Sequence, residues 1–173
     1  MQKFLAVCII LLIVKPVSQA QTFDFNANCK QAYQSIFKLK TNEGLQFLEK
    51  EKKDNPKNYM PYFIENYADF LKLYVNDNAA LYASTEPKVN ARLEKLKNAN
   101  SNSPYYLYTQ ADVHLQWAMC KIKFGDNLSA VFEVKKAYTL LLDNQKKYPD
   151  FKPNIKSLGL LHTIFGAIPD NYK

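Results

Sequence analysis

The chain has 173 residues, 47% hydrophobic and 23% charged, which excludes an intrinsically disordered chain and allows one domain with a substantial core. Its formal charge of +7 is carried almost wholly by lysine, with Arg92 the single arginine, and the lysines are mixed with acids, as in "LEKEKKDN" and "RLEKLKNAN". That pattern reads as solvated helix faces and excludes a nucleic-acid reader built on arginine forks.

The first twenty residues form a separate element. Lys3 precedes an unbroken apolar run from Phe4 to Val14, followed by Lys15, Pro16 and the small-residue pattern Ser18-Gln19-Ala20. This order predicts a Sec-type signal peptide over residues 1–20, cleaved after Ala20. A helix of that run reaches roughly 16 Å, against a hydrocarbon core of about 30 Å, so no transmembrane span is expected after cleavage. Cys8 lies inside the run, so no lipid-anchoring cysteine follows it. Loss of Lys3 and Lys15 lowers the formal charge from +7 to +5. The expected location is the periplasm or cell envelope of a Gram-negative-type bacterium, or the secreted fraction. Export permits a disulfide between the remaining cysteines, Cys29 and Cys120. Each sits in a helical pattern, however, and reads as a small buried apolar residue left unpaired.

Residues 21–173 read as one helical-repeat domain, since only four glycines occur and no stretch alternates apolar and polar for long. After a short extended lead-in, "NANCKQAYQSIFKL" carries Ala32, Ile36 and Leu39 at helical spacing. A second helix follows in "TNEGLQFLEKEKKDNP", with Thr41 or Asn42 as its cap and Pro56 as its stop. The two lie close enough in sequence to fold back as an antiparallel hairpin. The next pair begins near Asn58, where Tyr59, Phe63, Tyr67, Phe70 and Tyr74 form one helical stripe. "VNDN" breaks it, and "STEPKVNARLEKLKNAN" predicts a helix capped by Ser84 or Thr85, with Pro87 in its first turn. A longer pair spans Pro104 to Phe124 and Leu128 to Lys147, separated by "FGDN". A last helix is expected from Asn154 to Ala167. The fold class is therefore all-α, with stacked antiparallel helical hairpins and about seven helices after the signal peptide.

One phrase is written twice. "MPYFIENYADFL" from Met60 aligns with "SPYYLYTQADVHL" from Ser103, pairing Pro61 with Pro104, Tyr62 with Tyr105, Ala68 with Ala111 and Asp69 with Asp112. A hairpin that cannot bury its apolar face alone stacks on its neighbours, which makes the repeat an architectural signal.

The first unit resembles a tetratricopeptide repeat. Ala32 matches the small residue of that family's first helix, Gly44 the small residue of the second, Leu48 the large apolar residue four later, and Pro56 the closing proline. Ala68 and Ala111 take the small-residue place in the next two units. Those units are about 43 residues long rather than 34, and their second helices depart from the family spacing. The resemblance, over roughly residues 26–148, implies a TPR-like α-solenoid whose concave face is lined from the first helix of each pair. It places the lining at Tyr62, Glu65, Asp69 and Lys72, at Tyr105, Tyr108, Asp112 and Gln116, and near the start at Cys29, Tyr33 and Phe37. It also leaves open that 21–173 is the N-terminal part of a longer array.

No catalytic constellation has the right spacing. A Gly-rich phosphate loop, a Gly-x-Ser-x-Gly elbow and a His-Glu-x-x-His pair are all missing from the sequence. His114 with Cys120 lacks further ligands for a metal, and His162 lies in an apolar helix, so no cofactor or metal is expected. Glu65 and Asp69 stand at i,i+4 but read as ordinary helix carboxylates. Twelve tyrosines and eleven phenylalanines are the more informative feature. Tyrosines among carboxylates suit a peptide or a glycan. The expected function is a non-enzymatic exported scaffold that binds a protein or peptide partner on its concave face, with an envelope binder of a small solute or glycan as the rival. The last helix, apolar at Ile155, Leu158, Leu161, Ile164, Phe165 and Ile168, is expected to meet further repeats, a second copy or a membrane surface through residues 155–168, the alternative being that it folds back and buries everything against residues 128–148.

Overall fold

A computed structural model describes residues 21–167 as seven α-helices with no strand among them. The expected signal peptide over 1–20 and Ile168 lie outside the described residues, and so do the side chains of Ile164 and Phe165. The helices are α1 (Ala27–Phe37), α2 (Thr41–Asp54), α3 (Met60–Val75), α4 (Ala79–Lys97), α5 (Tyr105–Lys123), α6 (Asn127–Lys147) and α7 (Lys152–Ala167). They pair as α1–α2, α3–α4 and α5–α6. Every further contact between elements joins one hairpin to the next, through α1–α3, α2–α3, α3–α5, α4–α5, α5–α7 and α6–α7.

The helix starts follow local chemistry. Asn26 accepts from the Cys29 amide at 3.2 Å and opens α1, and Asp126 accepts from the Ser129 amide to open α6. Between α1 and α2, Leu39 takes a left-handed φ of 60°, and the Lys40 amide reaches back to the Ser35 carbonyl at 2.9 Å. Gly125, with φ of 85°, makes the turn between α5 and α6, where a side chain would strain the backbone.

Two expected starts are corrected. Lys40 caps α2 without a side-chain bond, and Thr41 and Asn42 already lie inside the helix. α4 begins at Ala79, capped by Asn78, whose side chain accepts from the Leu81 amide at 2.9 Å. Pro87 therefore lies in its interior, not its first turn. Ser84 and Thr85 do not cap; their hydroxyls donate back to the Leu81 carbonyl at 3.0 and 2.8 Å. Hydroxyls that bond the preceding turn let a helix run through such residues.

The lead-in is stitched to the α2–α3 connection. The Thr22 amide donates to Lys57 O and the Tyr59 amide to Thr22 O, at 2.9 and 2.8 Å. The Asn58 side chain both accepts from the Asp24 amide and donates to the Asp24 carbonyl. Below it, the fully buried Glu51 carboxylate accepts from the side chains of Asn26, Asn28, Asn55 and Asn58 at 2.6 to 3.1 Å. Burial opposes the charge, but those four amides outweigh it and hold the carboxyl below its ordinary value.

The core forms two clusters on either side of α5. The larger packs α1 to α5 around Ile36, Leu48, Ile64, Leu73, Leu96 and Trp117; the smaller joins Ala111 of α5 to Ala137 and Leu141 of α6 and Leu158 and Leu161 of α7. Tyr108 touches both. The small residues expected at close approaches are buried, Ala32 and Ala111 completely and Ala68 nearly so. Cys29 and Cys120 are free and buried, and burial is the largest cause pushing each thiol up to about 12.

Candidate functional site

α1, α3, α5 and the start of α7 surround a cleft of about 440 Å³. The 3.6-residue period explains its composition, because α1, α3 and α5 each place aromatics three or four residues apart on one side. Phe25 and Tyr33 form one wall, Phe63 and Tyr67 the middle, and Tyr105 and Tyr108 the other wall, while Lys152, Pro153 and Lys156 rim it. The rings meet edge to face. Tyr33 and Tyr67 lie 5.4 Å apart at 80°, Phe63 and Tyr67 5.3 Å apart at 78°, and Tyr105 and Tyr108 6.3 Å apart at 73°.

Three of the four tyrosine hydroxyls of these rings are engaged within the protein. Tyr67 donates to Asp112, Tyr33 bonds Tyr67, and Tyr108 bonds Ser157. Burial, with the Asp112 charge next, raises the hydroxyl pKa of Tyr33, Tyr67 and Tyr108. Burial also raises the carboxyl of Asp112, against the hydrogen bonds from Tyr67 and Gln116 and the charge of Lys156. Lys152 and Lys156 are exposed, and neither has an ion-pair partner within 4.0 Å among the described residues. α7 brings no acid in its first turn, so the positive end of the helix adds to both lysines.

From Asp112 a polar chain runs across four helices. Gln116 donates to Asp112 at 2.7 Å, Asn66 to Gln116 at 2.8 Å, and Arg92 bridges Asn66 at 3.4 Å to Asp69 at 2.6 Å. Arg92 also lies 3.8 Å from Glu65, which pairs with Lys52.

The eight residues expected on one lining surface therefore divide. Tyr105 and Tyr108 line the cleft, and Asp112 lies behind Tyr67. Gln116 is buried between α3 and α5. Tyr62 faces away, under the ammonium groups of Lys52 and Lys95 at 5.1 Å each, and Glu65 and Asp69 join it among Lys52 and Arg92. Lys72 is exposed near the end of α3 and lines none of the clefts. Of the three positions near the start, Tyr33 lines the cleft, Phe37 packs beside it at 4.4 Å, and Cys29 is in the core. Sequence reasoning missed Phe63 and Tyr67 as lining because their stripe reads equally as core, and missed Lys152 and Lys156 because nothing local ties α7 to α1. Trp117, the single tryptophan and the ring best suited to stack on a sugar, is buried against Tyr82 at 5.0 Å.

Among the described residues, no group of three or more His, Cys, Asp or Glu could hold a metal, and no helix is long and apolar enough to cross a membrane. No family model, no curated protein and no solved structure matches the chain.

Proposed function

We propose that the chain is a non-enzymatic, exported scaffold of tetratricopeptide-like hairpins that holds a peptide segment of a protein partner in the aromatic cleft of its first helices. The observation that carries this reading is the cleft's division of labour. Six aromatic rings face it, three of the four tyrosine hydroxyls are bound within the protein, and two lysines with no ion-pair partner within 4.0 Å among the described residues rim it. Such walls offer ring faces and edges to apolar side chains and offer few free donors to a sugar, whose hydroxyls need them. The rival, an envelope binder of a small solute or glycan, is favoured by the same ring density but loses Trp117 to the core. Export rests on the Phe4–Val14 run and the Ser18-Gln19-Ala20 site. The exposed Ile155 and Leu160 leave α7 a surface for further repeats or a second copy.

The test pans residues 21–173 against a random peptide library and a glycan array, beside Tyr105→Ala and Tyr108→Ala proteins checked for folding by circular dichroism. The reading expects peptide ligands that both folded variants lose. Glycan hits alone, or peptide binding indifferent to both changes, overturns it. Amino-terminal sequencing of the exported product tests the address and should begin at Gln21.

A further inference from the structure

A second concavity, also about 440 Å³, opens between α5, α6 and the end of α4, and shares no lining residue with the aromatic cleft. Phe132 and Leu140 supply apolar wall, Lys97, Lys135 and Lys136 surround it, and His114 faces it. Phe132 is 57% exposed. With Leu140 it gives the concavity an apolar wall beside the three lysines.

The charges around this concavity do not balance. Glu133 is buried, and its Oε2 lies 2.6 Å from His114 Nδ1 while its Oε1 lies 3.3 Å from Lys121 and 3.8 Å from Lys136. One carboxylate thus serves two lysines and an imidazole. Burial opposes its charge, but the hydrogen bond from His114 and the charges around it keep its carboxyl below the ordinary range. Lys97 is answered by Glu94 at 2.6 Å, and Lys135 has no carboxylate partner among the described residues. Four lysines therefore meet two carboxylates. With Nδ1 held by Glu133, the Nε2 of His114 is the ring nitrogen left without a partner among the described residues.

We propose that this concavity is a second binding site, for a small organic carboxylate. The anion meets the lysine rim and His114, and its apolar body covers Phe132 and Leu140. Charge excess selects an anion, and the apolar wall selects one with a hydrocarbon body over a bare inorganic ion. The single arginine, Arg92, does not line the concavity, so the planar fork that grips phosphate bidentately is not offered there.

The experiment titrates residues 21–173, labelled with ¹⁵N-histidine, with benzoate. His162 on α7 serves as the internal control. A saturable shift of His114 is expected with a dissociation constant on the order of 1 mM, with His162 unmoved. Lys135 and Phe132 are exposed, so Lys135→Gln and Phe132→Ala should keep the wild-type melting temperature. Each should weaken benzoate roughly threefold. Benzyl alcohol, the neutral analogue, should produce no saturable shift. A His114 that does not respond, an equal response to benzyl alcohol, or wild-type affinity in both variants overturns the proposal and leaves Glu133 as a cross-link between α5 and α6.

Discussion

Two carboxylates illustrate how surroundings rather than residue type set the worth of a buried acid. Glu51 has four amide donors and a lowered folded pKa. Its contribution is present above the unfolded carboxyl value of about 4.3 and is lost as pH falls through the folded value. Asp112 has the opposite sign, because burial raises its folded pKa. Its contribution is present below the unfolded value and lost as pH rises through the folded one. Glu51→Gln should therefore cost about 2 kcal/mol near neutral pH, since the new amide nitrogen faces donors. It should also flatten the acid limb of stability. Asp112→Asn keeps an acceptor for Tyr67 and should be neutral or stabilising at the same pH. Urea denaturation of the three proteins between pH 3 and 8, values chosen to bracket the roughly 4–4.5 range of unperturbed carboxyls, measures both effects.

Elements respond to the same chemistry through their length and fit. α4 tolerates Pro87 in its interior because Asn78 caps it and the hairpin packs Thr85, Val89 and Leu93. The proline still lacks the amide that Ala83 would accept from. Pro87→Ala should raise stability by about 1–2 kcal/mol, the restored turn being partly offset by a more flexible unfolded chain. Asn78→Ala should lower it by about 1 kcal/mol. α1 and α2 meet more closely. A Cβ at Gly44 would fall 2.5 Å from Ile36 Cγ1 and 2.9 Å from the Ala32 carbonyl. Gly44→Ala should cost about 1–3 kcal/mol, whereas Gly159→Ala, whose added Cβ meets nothing within 4 Å among the described residues, should gain up to about 1 kcal/mol from helix propensity. Thermal melts of the four variants test the pair at each site.

At the scale of the whole molecule, contacts between helices run within a hairpin or to the next, and α7 is held by the smaller core cluster, by Asn154 bonded to Asn144 and the Leu141 carbonyl, and by Ser157 bonded to Tyr108. Stability should then fall off toward α7. Native-state hydrogen exchange should show α7 amides exchanging ahead of those of α1 and α3. Leu158→Ala should accelerate α7 while leaving α1 unchanged; equal acceleration everywhere would show a single cooperative unit instead. The sequence by itself determined the all-α class, the hairpin pairing, the tight contact of Gly44 with Ala32 and the burial of Ala68 and Ala111, because helical period, breakers and small residues are local or nearly so. The tertiary structure decided which way each helix is turned. Asp69 and Asp112 occupy matching places in the repeated phrase, yet Asp69 meets Arg92 of its own hairpin and Asp112 meets Tyr67 of the preceding one. A 3.6-residue period marks an apolar stripe but not which flanking helix the stripe meets. That choice depends on partners 23 and 45 residues away, and so do the aromatic cleft, its lysine rim and the division of the expected lining residues.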